Sequence, residues 1–334
     1  MFVAMPQRQI IAFGSTFDGI IDHLLVRWCD IENYNQWIAL PQNQAGSFRL
    51  TRGSRIIGAI QGPQQSYLWT DVGLWSMQYI GQPDVYSFNE IGVGCGLIGS
   101  KAAGALGGVT YWMGQSQFYA LGGDGVQTIN CPIWDVIFQD LDTSNLDKIR
   151  FAGNSRFGEI TWYYPTISSG GEVSNYVKYN SIIQQWDYGA LGRTAWINQS
   201  IFGPPIGADT NQFIQQHETS PDADGQAMQS GFTTGYFALS EGNWEVFVDQ
   251  VWPDMKWGFF GGTQNANVNI TFYTADYPGQ TPVAHGPFTV TEATTFITPR
   301  IRARLMAIEI SSADIGSFWR LGQLRYRSQQ DGKY

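Results

Sequence analysis

Charge is scarce in this chain. Asp, Glu, Lys and Arg together make up 14% of its 334 residues, against roughly 25% in most soluble domains. The polar surface must therefore be built mainly from Gln, Asn, Ser and Thr. Basic residues number 19 against 28 acidic ones, a formal net charge of −9. That balance argues against a protein that grips nucleic-acid phosphates, which calls for basic patches. It still allows a surface past which DNA slides without sticking. Cysteine is sparse too: Cys29, Cys95 and Cys131 are odd in number, far apart and without metal-ligand spacing. They read as reduced, mostly buried small hydrophobes, which fits synthesis in a reducing cytoplasm. The three histidines, His23, His217 and His285, lack paired spacing, so no zinc site is expected. No apolar run approaches ~18 residues and residues 1–11 hold no signal-peptide core, so no membrane insertion is expected. Helical periodicity is nearly missing, with short helices expected only at 100–104 and at 133–138, behind Pro132.

Aromatics are what the chain has in quantity: 13 Trp, 16 Tyr and 20 Phe, or 15% of all residues. A weakly charged, aromatic-rich surface is expected where much of it is buried between subunits. The most informative stretch is 109–129, which reads as three short strands joined by two tight turns. Gly114 and the glycines at 122–125 fit such turns, and no helix period fits the segment. Similar strands, rich in Ile, Val, Tyr, Trp and Phe and bounded by Gly, Pro, Asn or Asp, are expected throughout. They fall at 9–13, 23–29, 47–50, 56–60, 66–70, 74–80, 86–91, 150–154, 159–165, 176–180, 185–187 and 195–199. Trp28, Trp69, Trp112 and Trp162 follow one another at intervals of about 41, 43 and 50 residues, the period of propeller blades. The fold class expected is all-β, a β-propeller of about six blades, with blades over residues 1–200. A further β-rich region is expected over 201–334, as a sandwich-like insertion or as closing blades. After a Gly/Pro/Asp-rich stretch at 201–227, its strands are expected at 232–239, 244–252, 268–273, 295–301, 305–311 and 318–326.

Motifs for catalysis are weak. Residues 94–99 satisfy G-x-G-x-x-G, but the helix that dinucleotide binding needs would be broken by Gly104, Gly107 and Gly108. Ser100 precedes Lys101, the reverse of the phosphate-loop order, so these glycines are read as allowing a crowded crossing between blades. Residues 140–145 resemble a calcium loop but lack its glycine and terminal Glu, and read as a surface turn. No G-x-S-x-G elbow, convincing Cys/His pair or sialidase Asp-box is present. Glu159, Asp187, Glu218 and Glu245 are candidates for a glycosidase carboxylate pair, and each reads first as structural. No catalytic residue, cofactor or metal is assigned, and the chain is expected not to be an enzyme. The most basic stretch, Arg300 to Arg304 with Arg320, Arg325 and Arg327, reads as a solvated or interface-paired strand face rather than a phosphate stripe.

Several segments, taken in order, carry a family resemblance. Trp69-Thr70-Asp71, Trp75-Ser76-Met77-Gln78-Tyr79-Ile80-Gly81 and Gly94-Cys95-Gly96-Leu97-Ile98 are followed by Tyr111-Trp112-Met113-Gly114 and by Phe118-Tyr119 with Asp124-Gly125. Glu159-Ile160-Thr161-Trp162-Tyr163-Tyr164-Pro165, Trp186-Asp187-Tyr188-Gly189, Arg302-Ala303-Arg304 and Phe318-Trp319-Arg320-Leu321-Gly322 continue the order. The chain thereby resembles, from about Arg27 to Arg325, the packaged-DNA stabilisation or tail-nozzle proteins of short-tailed phages. The resemblance implies a β-propeller subunit of a hexameric ring in the virion tail, made in the bacterial host cytoplasm. Such a ring sits below the head-to-tail adaptor, near tail needle, fibre or spike proteins. It retains packaged genomic double-stranded DNA and conducts it during ejection without sequence-specific binding. Family members carry about one more blade's worth of residues before the Trp28 region, so the propeller is expected to be short at its N-terminus. Arg302, Arg304, Arg320 and Trp319 are then candidates for contacts between blades or subunits, and Asp222 and Asp224 for a channel wall or tip. An acidic lumen would repel phosphate and ease passage. The alternative is a tail component that binds or cleaves carbohydrate.

Overall fold

The structure, a computed structural model, describes residues 1–62, 64–240, 244–259, 267–315 and 317–333. The chain divides into two units, Met1–His217 and Glu218–Tyr334.

The first unit repeats one plan. Short alternating strands separated by Gly- and Asn-containing turns pair with their neighbours in sequence into antiparallel sheets. The first sheet joins β1 (Phe2–Ala4), β2 (Gln9–Phe13), β5 (Leu25–Trp28) and β6 (Gly46–Arg49), with a small hairpin of β3 (Thr16–Phe17) and β4 (Ile20–Ile21) beside it in sequence. The second runs β7 (Ile56–Gln61), β8 (Ser66–Thr70), β9 (Gly73–Gly81) and β10 (Val85–Val93). The third is β11 (Ala103–Leu106), β12 (Val109–Met113), β13 (Phe118–Gly122) and β14 (Gly125–Ile129), so the 109–129 segment folds as the three strands expected of it. The fourth is β15 (Arg150–Asn154), β16 (Glu159–Pro165), β17 (Val173–Asn180) and β18 (Gln185–Ala190), reached through α1 (Trp134–Asp140). The fifth has three strands, β19 (Ala195–Ile197), β20 (Ile206–Ala208) and β21 (Ile214–Gln216).

First strands of successive sheets approach one another: β1 meets β7, β7 meets β11, β11 meets β15 and β15 meets β19. That radial succession of antiparallel sheets is the propeller plan. Five sheets follow it among the described residues, rather than about six, because the strands after His217 form a different unit.

Aromatic side chains hold neighbouring sheets together. Trp69, Trp112 and Trp162 are fully buried, each on the second strand of its sheet. Trp69 meets Trp112 edge-on with ring centroids 5.5 Å apart, and Phe118 of the third sheet meets Trp162 of the fourth at 4.8 Å. The Trp112 Nε1–H donates to the Cys95 carbonyl at 2.9 Å, and that of Trp162 to the Ala102 carbonyl at 2.9 Å. The indole nitrogen of Trp69 is buried without a partner among the described residues. Trp28 breaks the series, because it lies on the third strand of its sheet rather than the second. The glycines at 94–99 serve close crossings: a Cβ on Gly96 would lie 2.0 Å from the Asp71 carbonyl oxygen, and one on Gly99 2.1 Å from that of Leu146.

In the second unit, β22 (Asp222–Ala223) and β23 (Gln226–Ala227) form a hairpin. A five-stranded sheet joins β24 (Ser230–Thr233), β25 (Phe237–Ala238), β28 (Val268–Ala275), β29 (Val283–Val290) and β31 (Leu305–Ser312). A second sheet pairs β26 (Trp244–Trp252) with β30 (Ile301–Ala303) and β33 (Arg325–Lys333), and β27 (Met255–Phe259) pairs with β32 (Ser317–Leu321). Val246 and Val248 of β26 share one buried core with Ile270, Phe272, Met306, Ile308 and Ile310, the arrangement of a β-sandwich.

Several expected elements differ. Residues 100–104 are a turn leading into β11 instead of a helix: Gly104 pairs with Tyr111, and a Cβ there would strike the Phe151 ring at 2.2 Å. Residues 295–301 form only a bridge, Val251 to Ile297, before β30. The expected strand 318–326 is two strands with Gly322 between them, its N–H donating to the Asp254 carbonyl at 2.7 Å. Residues 201–217, grouped with the C-terminal region on composition, instead fold back as β20 and β21 onto β19.

Candidate functional site

Two surface features of the first unit stand out. One is a groove of about 800 Å³ between the third and fourth sheets. The outer strand β14 and the residues after it supply Gln127, Thr128 and Asn130, while Tyr179, Ser181, Gln184, Gln185 and Trp186 come from β17, β18 and their turn. Tyr111 and Val109 belong to the same lining. The Trp186 Nε1–H donates to the Asn130 carbonyl at 2.8 Å, which ties the two walls together. Its ring packs on Phe118 at 4.7 Å and Tyr179 at 4.9 Å. Burial pushes the Tyr111 and Tyr179 phenols up from their usual range. Among the described residues, Asp124 is the one carboxylate of the lining, which holds no Lys or Arg.

The other is one face of the fifth sheet. Register places Ile197 opposite Ile206, and Ala195 and Ile214 opposite Ala208, so these side chains share a face. Ile197 is 65% exposed and Ile214 77%, and the adjoining Ile201 and Phe202 are 95% and 93% exposed. The opposite face is packed: Trp196 lies 5.8 Å from Tyr163 and 4.6 Å from the His217 ring. His217 Nε2 accepts from Arg193 Nε at 2.9 Å. Burial, then the Arg193 charge, lowers the His217 pKa to about 4.

Of the carboxylates singled out from sequence, Glu159, Asp187 and Glu245 are held in ion pairs. Lys178 bridges Glu159 at 3.3 Å and Asp187 at 3.7 Å, and Asp187 also accepts from the Tyr176 hydroxyl at 3.0 Å. Glu245 pairs with Arg302 at 2.7 Å. The first strands of the five sheets carry no Asp or Glu. Burial raises the Cys95 and Cys131 thiols to about 11, so neither is a thiolate near neutrality. Among the described residues no group of His, Cys, Asp and Glu could hold a metal ion, and no helix is long and apolar enough to cross a membrane.

The assembly candidates are spread over the second unit rather than gathered. Arg302, on β30, also reaches Asp331 at 3.2 Å, and Arg304 Nη1 donates to the Asp276 carbonyl at 3.4 Å. Trp319 packs against the sandwich core and donates to Ser230 Oγ at 3.0 Å, while Arg320 is exposed on β32 opposite Lys256. Asp222 and Asp224 form a hairpin turn in which Asp222 Oδ1 accepts from Gly225 N at 3.1 Å. The groove glutamines and the isoleucines of the fifth sheet were not singled out from sequence. Exposed polar positions on a strand are legible locally, but not that β14 and β18 face each other.

No family model matches the chain, and no curated protein matches it. Among solved structures, it is similar to an exo-β-1,3-galactanase from Phanerochaete chrysosporium with bound β-1,3-galactotriose, at 8% identity and TM-score 0.30, over 96% of this chain and 100% of that one. The same enzyme with galactose aligns at 8% identity and TM-score 0.27, over 96% and 98% of the two chains. A further glycoside hydrolase aligns at 9% identity and TM-score 0.25, over 90% and 95%. The aligned structures are glycoside hydrolases, which runs against the expectation that the chain is not an enzyme. The expectation rested on local motifs, whereas glycoside cleavage needs only two carboxylates that meet in space.

Proposed function

We propose that this chain is a structural virion protein of a short-tailed bacteriophage, one subunit of the ring-shaped tail nozzle below the head-to-tail adaptor. In that role it retains packaged DNA and conducts it during ejection, with tail needle, fibre or spike proteins nearby. The observation that carries the reading is the set of exposed apolar side chains on the fifth sheet, Ile197 and Ile214 on one face that also bears Gln216, with Ile201 and Phe202 on the β19–β20 connection. Exposed apolar surface of this kind marks an interaction site, and a chain with 14% charged residues has few charges to keep such a face in water. The ordered motifs from Arg27 to Arg325 supply the identity of the assembly. A net charge of −9 suits a conduit that DNA passes without sticking. Sedimentation and negative-stain images of the purified chain test the reading: a closed ring of six subunits is expected, and a monomer at every concentration contradicts it.

Carbohydrate binding by a tail component is the second reading. It is favoured by the groove between the third and fourth sheets, where amide and aromatic side chains converge with a single carboxylate.

A further inference from the structure

We infer that this groove is a binding site for a neutral, extended oligosaccharide, held by Gln127 on one wall and by Gln184 and Gln185 on the other. The proposal rests on the carbohydrate reading of the groove and is independent of ring assembly.

Three observations select that ligand class. First, the lining contains amides, hydroxyls and aromatic rings but no Lys or Arg. An anionic ligand such as a phosphate would find no counter-charge there and would meet Asp124 instead. Second, Gln127, Gln184 and Gln185 are exposed, and none of their amides is held by a protein partner among the described residues. Each amide offers two donors and a carbonyl acceptor, which matches the paired hydroxyls of a sugar ring. Third, Trp186 and Tyr179 provide partly exposed rings beside these amides. Aromatic surface next to polar groups suits the C–H face of a pyranose, which is apolar although its rim is not.

The groove is also braced. The Trp186–Asn130 hydrogen bond joins its walls, and the Phe118–Trp186–Tyr179 contacts fix the indole. Gln184 sits at φ +55 in the β17–β18 turn, an uncommon conformation for a residue other than Gly or Asn. That geometry presents the side chain at the groove instead of a less strained turn residue. With Asp124 alone, the groove lacks the carboxylate pair of glycoside hydrolysis, so its role is to hold the saccharide.

The test is titration calorimetry of the full chain against short neutral gluco-, galacto- and manno-oligosaccharides, with sulfated and sialylated oligosaccharides as anionic controls. The Gln127→Ala/Gln185→Ala variant is measured in parallel, because both side chains are exposed and their removal leaves the core intact. Binding of at least one neutral oligosaccharide is expected, weakened about tenfold or more in the double variant at unchanged melting temperature. The inference is overturned if no neutral oligosaccharide binds, if the variant binds equally well, or if an anionic control binds more tightly. Rings without glycan binding would sink this inference alone. Glycan binding by a permanent monomer would sink the nozzle reading alone.

Discussion

The third and fifth sheets of the first unit are built from the same kind of strand and end in opposite states. The third sheet has four strands, and Trp112, Met113 and Phe118 are wholly buried against the sheets on either side. The fifth has three, packs one face through Trp196, and leaves Ile197 and Ile214 in contact with solvent. A strand's apolar residues are therefore no guide to whether it is covered by its own chain. The third sheet is saturated by neighbours in sequence. The fifth has an apolar face that a second molecule can cover, and that contrast underlies the assembly proposed here.

The largest way to break the contrast is to hollow out the saturated side. Trp162→Ala removes a fully buried side chain that touches Phe118, Phe151 and Trp186. It is expected to cost about 3–5 kcal/mol in urea unfolding, as large-to-small changes at buried aromatics do. A finer comparison uses two indoles in matching places. Trp112→Phe leaves the Cys95 carbonyl without its donor, whereas Trp69→Phe removes an N–H that has no partner. Trp112→Phe is thus expected to be the costlier change, by about 1 kcal/mol. Equal costs would show that the hydrogen bond contributes nothing.

A pH-dependent effect probes the packed face of the fifth sheet. The folded state holds His217 near pKa 4 against an ordinary value of 6.5. Between those values the unfolded chain takes up a proton that the folded chain refuses. Stability should hold above about pH 6.5 and fall as the pH drops toward 4, and His217→Gln should flatten that slope in melting curves. An unchanged slope in the variant would assign the acid sensitivity to other groups.

Much of the fold was legible locally. Strands β2, β8, β15, β16 and β26 fall where alternation and turn residues put them. So do the three strands of 109–129, of which β12 is buried on both faces and β14 is largely open to solvent. What was not legible depended on distant contacts. Gly104 looks like part of a short helix until Phe151 is seen lying over it, and residues 201–217 look like a linker until β20 and β21 pair back onto β19. Trp28 keeps the blade interval in sequence yet lies on the third strand of its sheet, β5, behind β1 and β2. The groove was illegible for the same reason. Gln127 and Gln185 are 58 positions apart, and nothing in their spacing shows that their strands face one another.

The smallest expected change in stability accompanies the largest expected change in assembly. Ile197→Asp with Ile214→Asp alters two exposed side chains, so the monomer should lose no more than about 0.5 kcal/mol. The most direct measurement is the sedimentation of this double variant beside the unaltered chain. The unaltered protein should sediment as a ring of six subunits and the variant as a folded monomer. Rings that persist in the variant, or an unaltered chain that never leaves the monomer, would contradict assembly through the fifth sheet.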